Sequence, residues 1–131
     1  MGAPTFIDLT NEIDSVAGRQ LRLRVITIEP GGVVALHSHN GRPAVAYTLQ
    51  GTLTEHVENG GVHEREQGES WSEGRNITHW PENKGDKPVV LIAVDVFKPR
   101  SRKHEPARHG NAGQRVLTRR NCHCNVLDAL F

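Results

Sequence analysis

The chain has 131 residues, 36% of them apolar and 24% charged, with a net charge of +1, which suits one domain with a small core. There is no run of roughly eighteen apolar residues to cross a membrane as a helix, and the start, MGAPTFIDLT, lacks the basic and apolar regions of a signal peptide. The charge is uneven: residues 1–97 carry eight Lys/Arg against thirteen Asp/Glu, a net of −5, and residues 98–131 carry eight against two, a net of +6. We therefore expect a domain over 1–98 and a basic extension over 99–131, and the acidic body argues against nucleic acid as its ligand. The expected compartment is the cytoplasm, unless a secretory leader has been trimmed away.

In chain order, Thr5 to Leu9 reads as a short edge strand and Asn11 to Gly18 as a loop. Leu21 to Glu29 reads as a strand that ends at the turn Pro30-Gly31-Gly32. In it Leu21, Leu23 and Val25 alternate with Arg22 and Arg24, as in a half-buried strand. The apolar phase then moves to Ile26 and Ile28, which a bulge or burial on both faces would explain. Val33 to His39, Ala44 to Gln50 and Thr52 to Glu58 are the next expected strands, separated by Asn40-Gly41-Arg42-Pro43 and Gly51. Asn59-Gly60-Gly61 is a hairpin signal, with Val62 to Gln67 returning antiparallel. Ser70 to Glu73 and Asn76 to His79 read as shorter strands around Gly74, Pro81 to Lys87 as a polar turn, and Pro88 to Phe97 as a long buried strand. Many short strands, frequent turn signals and the lack of a helical pattern before residue 98 predict an all-β sandwich or barrel.

Candidate chemistry starts at His37 and His39. Two residues apart on a strand, they share a face, and imidazole is the commonest metal-binding side chain near neutral pH. His79, on a later strand, is the expected third member of a catalytic-type metal site.

These residues also carry a resemblance. Gly31, His37, His39 and Gly51 fall at the spacing of the first motif of the cupin superfamily, with Ala44 in the slot of that motif's glutamate. Gly68, Gly74, His79 and Asn83 are similar to the second motif, with Ser72 in place of its usual proline. The resemblance covers roughly residues 20 to 98. It implies a cupin-type, RmlC-like jelly-roll barrel around a small-ligand cavity. It also implies one divalent transition metal (Fe, Mn, Ni, Zn or Cu) on His37, His39 and His79, and a homodimer with Thr5 to Leu9 or the tail as an arm. The expected function is action on a small organic molecule at that site, of dioxygenase, lyase or isomerase type. The alternative is a non-catalytic barrel that holds a sugar or other metabolite without metal, with the histidines as hydrogen-bonding groups.

Other residues are weighed around this site. Arg42, at the barrel mouth, is a candidate for holding a substrate carboxylate, against a solvated turn residue. Tyr47 is a candidate proton donor, against simple packing. Of Glu55 and His56 at most one points inward. Glu55 would restore a carboxylate and His56 would add a fourth imidazole, while a solvent-facing pair is the plainer expectation. Trp71 and Trp80 are expected to shape a pocket or cover the core, and Asn83 to fix its turn. His63, His104 and His109 are read as surface residues. Cys122-His123-Cys124 lacks the paired spacing of a zinc module, and the basic Arg100 to Lys103 cluster reads as a solvated tail.

Overall fold

The computed structural model describes residues 4–100. The extension read over 99–131, with His104, His109 and Cys122 to Cys124, lies almost wholly outside the described residues. Among the described residues nine strands follow in order: β1 (Thr5–Asp8), β2 (Gln20–Ile28), β3 (His37–Ser38), β4 (Ala44–Gln50), β5 (Leu53–Val57), β6 (Gly61–Arg65), β7 (Ser70–Glu73), β8 (Thr78–Glu82) and β9 (Val89–Phe97). They form two antiparallel sheets, ordered β1-β2-β9-β4-β7 and β3-β8-β5-β6. One 3-10 turn, Asp14–Val16, is the helical segment among the described residues. The architecture is the all-β one that the strand pattern predicts, and no described helix is long and apolar enough to cross a membrane.

Register partners in antiparallel strands share a face, so the pairing gives the inner surface of the five-stranded sheet row by row. One row is Arg22, Asp95, Ala44, Glu73, and the next is Arg24, Ala93, Ala46, Trp71. Below them come Ile26, Leu91 and Thr48, then Ile28 and Val89. Ile28, Val89 and Leu91 pack with Leu53 of the other sheet as the apolar core, flanked by Ile26, Val34 and Trp71. Polar rows occupy one end of the interior and the apolar core the other.

The phase of β2 is the reverse of the alternation expected for Leu21, Leu23 and Val25. These three are 42, 41 and 48% exposed, while Arg22 is buried at 6%. The strand runs in unbroken register against β9 from Gln20 to Ile28, without a bulge. The cause is Asp95, fully buried on β9, which accepts two hydrogen bonds from Arg22 at 2.9 and 2.6 Å. A buried carboxylate without such a partner is far costlier than an exposed leucine, so the charge pair fixes the phase.

Two further boundaries differ from the sequence reading. The strand expected from Val33 shortens to His37–Ser38, preceded by a single bridge between Val33 and Glu82. The turn expected at Pro81 lies further on, because β8 runs through to Glu82. Pro81 is tolerated there because its carbonyl accepts from Val34 N–H at 2.8 Å. Its nitrogen faces the same flank, where an irregular segment replaces a ladder strand and no donor is required. Gly51 closes β4 at φ 80°, and a Cβ there would lie 3.1 Å from Pro88 O, so the position suits glycine twice over. Asn83 fixes its turn as expected: Nδ2 donates to Ile28 O and Lys87 O, and Oδ1 accepts from Gly85 N–H.

Candidate metal centre

The register brings the imidazoles together. His37 on β3 is the direct partner of His79 on β8, so the two side chains leave the sheet on one face. His39 follows just beyond β3 and is held there by its N–H, which donates to Ile77 O at 2.8 Å. The three ring centroids lie 4.5 to 5.1 Å apart.

Each ring is held by its Nδ1. His37 Nδ1 lies 2.8 Å from Ala35 O, His39 Nδ1 3.1 Å from Arg42 O, and His79 Nδ1 2.6 Å from Glu55 Oε1. All three partners only accept, so every Nδ1 carries the hydrogen and every neutral ring presents an Nε2 lone pair. These lone pairs meet: His79 Nε2 lies 2.9 Å from His37 Nε2 and 3.1 Å from His39 Nε2. Acceptor facing acceptor is repulsive unless a cation lies among them. Ligands about 2.1 Å from one ion and at right angles to each other stand about 3.0 Å apart, so the spacing fits a shared metal.

The electrostatics keep the rings available for such a role. Burial pushes the His37 imidazole down to about 4, opposed by its bond to Ala35 and reinforced by His79 and His39. Burial lowers His39 too, opposed by the charge of Glu73. For Glu55, burial alone would raise the carboxyl, but hydrogen bonds from His79 and Arg65 and the Arg65 charge hold it below its ordinary range. It therefore stays anionic behind His79, the partner that fixes a ligand imidazole's tautomer and raises its basicity. Arg65 Nε closes this relay at 2.7 Å from Glu55 Oε2.

A residue that the sequence reading did not single out borders the imidazoles. Glu73, at the end of β7, is 7% exposed. Its Oε2 lies 3.1 Å from His39 Nε2 and its Oε1 3.8 Å from His79 Nε2. Trp71 Nε1 donates to Oε1 at 2.9 Å. His37, His39 and His79 form one cluster with metal-ligand spacing, and Glu55, Glu73 and His79 form another. The signal in the sequence was the alternation of Ser-Trp-Ser-Glu, which puts Trp71 and Glu73 on one face of a short strand.

The remaining candidates are placed as follows. Glu55 is the inward member of its pair, fully buried at 1%. His56 turns away, stacked on Trp80 at 3.6 Å between centroids and bonded to Glu82 Oε1 at 2.7 Å. Tyr47 is 40% exposed and alternates with the buried Ala46 and Thr48, on the face away from the cavity. Arg42 has its guanidinium 3.5 Å from Asp95, while its carbonyl holds His39. His63 is exposed on β6, with Nε2 bonded to Gly60 O. Trp71 lines an open-mouthed cavity of about 60 Å³, which also has the three histidines, Glu73, Arg24 and Leu91 on its walls.

With this geometry in view, comparisons with known proteins give the following. A family model described as "Cupin domain" matches residues 24–95. No curated protein matches the chain significantly. Among solved structures, the chain is similar to a sugar phosphate isomerase from a cupin superfamily of Silicibacter pomeroyi, at 19% identity over 70% of this chain and 66% of that one, TM-score 0.53. It is similar to a predicted oxalate decarboxylase of Thermotoga maritima, at 20% identity over 72% and 92% of the two chains, TM-score 0.52. A Thermus thermophilus protein matches at 22% identity over 62% and 74%, TM-score 0.52. At these identities the likeness is one of fold.

Proposed function

The chain belongs to the cupin family, and on that footing we propose that its barrel, residues 1–98, binds one divalent transition metal through Nε2 of His37, His39 and His79. The barrel acts through that metal on a small organic molecule in the cavity. The observation that carries this reading is the meeting of Nε2 atoms at 2.9 and 3.1 Å while every Nδ1 is already engaged. Neutral imidazoles suit Fe, Ni, Cu or Zn, and Mn is admitted where carboxylate joins them. Such an ion supplies Lewis acidity at the coordination positions that the protein leaves open.

The chain's own residues prepare the site. Ala35 O, Arg42 O and Glu55 fix the three rings, so little reorganisation is needed on binding. Ile26, Val34, Leu53 and Leu91 give the cavity an apolar wall that limits water around the reacting molecule. The enclosed space is small, about 60 Å³, so a ligand would be a small molecule that extends through the mouth. A homodimer is part of this reading. The outer face of the five-stranded sheet carries Leu23, Val94 and Val45 in one row and Val25, Ile92 and Tyr47 in the next. Leu23, Val25, Val45 and Tyr47 are 40 to 56% exposed, which supports cover by a second copy.

The test is elemental analysis of untagged protein. About one Fe, Mn, Ni, Zn or Cu per chain, lost in His79→Ala, is the expected result. Metal-free wild type that still binds a metabolite would turn the reading to the non-catalytic barrel.

A further inference from the structure

The slot that the first motif fills with glutamate holds Ala44, yet a carboxylate reaches the imidazoles from elsewhere. Ala44 on β4 and Glu73 on β7 are direct register partners. Partners across an antiparallel ladder project to the same face about 5 Å apart, so a side chain longer than alanine at 44 would contend with Glu73 for one space. From this juxtaposition we infer that Glu73 is the fourth protein ligand of the metal, moved one strand sideways from the place that Ala44 vacates. The inference rests on the three-histidine reading above.

Three observations carry it. The first is distance. Oε2 stands 3.1 Å from His39 Nε2, the same separation that His39 and His79 show between their nitrogens, so the carboxylate joins the ring of donors at ligand-to-ligand spacing. The second is chemistry. His39 Nδ1 is committed to Arg42 O, so a neutral His39 has only a lone pair to offer Glu73. A metal ion between that lone pair and the Glu73 oxygen, 3.1 Å apart, would engage both. The third is support. Trp71, two residues before Glu73, holds Oε1 by its indole N–H, and Trp71 itself lies opposite Ala46. The small pair Ala44 and Ala46 thus faces the large pair Glu73 and Trp71, and room is made on one strand for what the other delivers. With one carboxylate and three imidazoles the site would offset one of the two charges of a divalent ion.

The test uses the full chain, stripped of metal and titrated with Co(II) against a competing chelator, with the visible Co(II) spectrum recorded. Glu73→Gln keeps the size of the side chain and one acceptor oxygen for Trp71 Nε1, but replaces the other oxygen by an amide NH2 and removes the charge. We expect it to bind Co(II) at least about 10-fold more weakly than wild type, with altered visible bands. The exchange variant Ala44→Glu/Glu73→Ala should recover binding to within a few-fold, because it returns the carboxylate across the same rung. If the exchange variant does not fold, Glu73→Gln decides alone. Wild-type affinity and spectrum in Glu73→Gln, with binding abolished in His79→Ala, would overturn the assignment of Glu73 and leave the three-histidine site standing. Wild type that takes up no Co(II) would overturn both.

Discussion

Two buried polar clusters share the interior of the barrel, and they differ in how donors and acceptors are matched. Asp95, 1% exposed, receives Arg22 at 2.9 and 2.6 Å and has Arg24 and Arg42 each 3.5 Å away. There donors meet acceptors. In the histidine cluster acceptors meet acceptors, at 2.9 Å between His79 and His37 and 3.1 Å between His39 and Glu73. In the first, Asp95 is satisfied by Arg22 of the protein itself, and the pair fixes the phase of β2. The second converges its nitrogens and a carboxylate on one point, the place of the proposed cation. Arg42 joins them, its guanidinium toward Asp95 and its carbonyl on His39. A buried polar cluster is therefore informative by its balance of donors and acceptors more than by its composition.

The comparison breaks if the two clusters respond alike to substitution. Asp95→Ala leaves buried guanidinium groups without their shared anion. It should cost about 3–5 kcal/mol of unfolding free energy, read by chemical denaturation, and added metal should not restore the loss. His37→Ala should do the opposite. Its Nδ1 bond is local, so the metal-free protein should stay within about 1 kcal/mol of wild type, while metal affinity falls about 100-fold or more in a chelator competition. Glu55→Gln removes the anion behind His79 without touching a ligand atom. Metal affinity should fall about 10-fold, a smaller loss than for the imidazole itself.

The metal-free protein should also differ in its pH dependence. The His37 imidazole titrates near 4 in the fold against an ordinary value of 6.5, so between these values the unfolded chain binds a proton that the folded chain refuses. This contribution is fully present above about 6.5 and is lost as the pH falls toward 4. Denaturation of metal-free protein at pH 7, 5.5 and 4.5 should show stability declining with pH, and His37→Ala should shallow the decline. An equally steep decline in His37→Ala would remove His37 as its source.

Much of this molecule was legible in its residues. His37 and His39 at period two, His79 at the second motif and the glycines between short apolar runs were enough for the all-β barrel, and they singled out the three imidazoles that the structure brings together. What stayed hidden depended on pairing across strands. Glu73 shares a face with Trp71 in any strand, but only the register with β4 puts it beside Ala44 and the histidines. Asp95 lay in the run Pro88 to Phe97, which reads as a long buried strand, and its partner Arg22 is 73 positions away. For that reason the alternation of Leu21, Leu23 and Val25 pointed to the wrong face. Burial of Glu55 in preference to His56 was likewise a matter of which strand face met the cavity, and periodicity alone gives two answers to that question.

The central claim is that one cation sits among His37, His39, His79 and Glu73. The most direct measurement is an anomalous difference map from crystals of the full chain, recorded on both sides of the absorption edge of the metal identified by elemental analysis. One peak within about 2.0 to 2.3 Å of the three Nε2 atoms and a Glu73 oxygen is the expected result. No peak there in metal-supplemented protein, or a peak held by other residues, would contradict it.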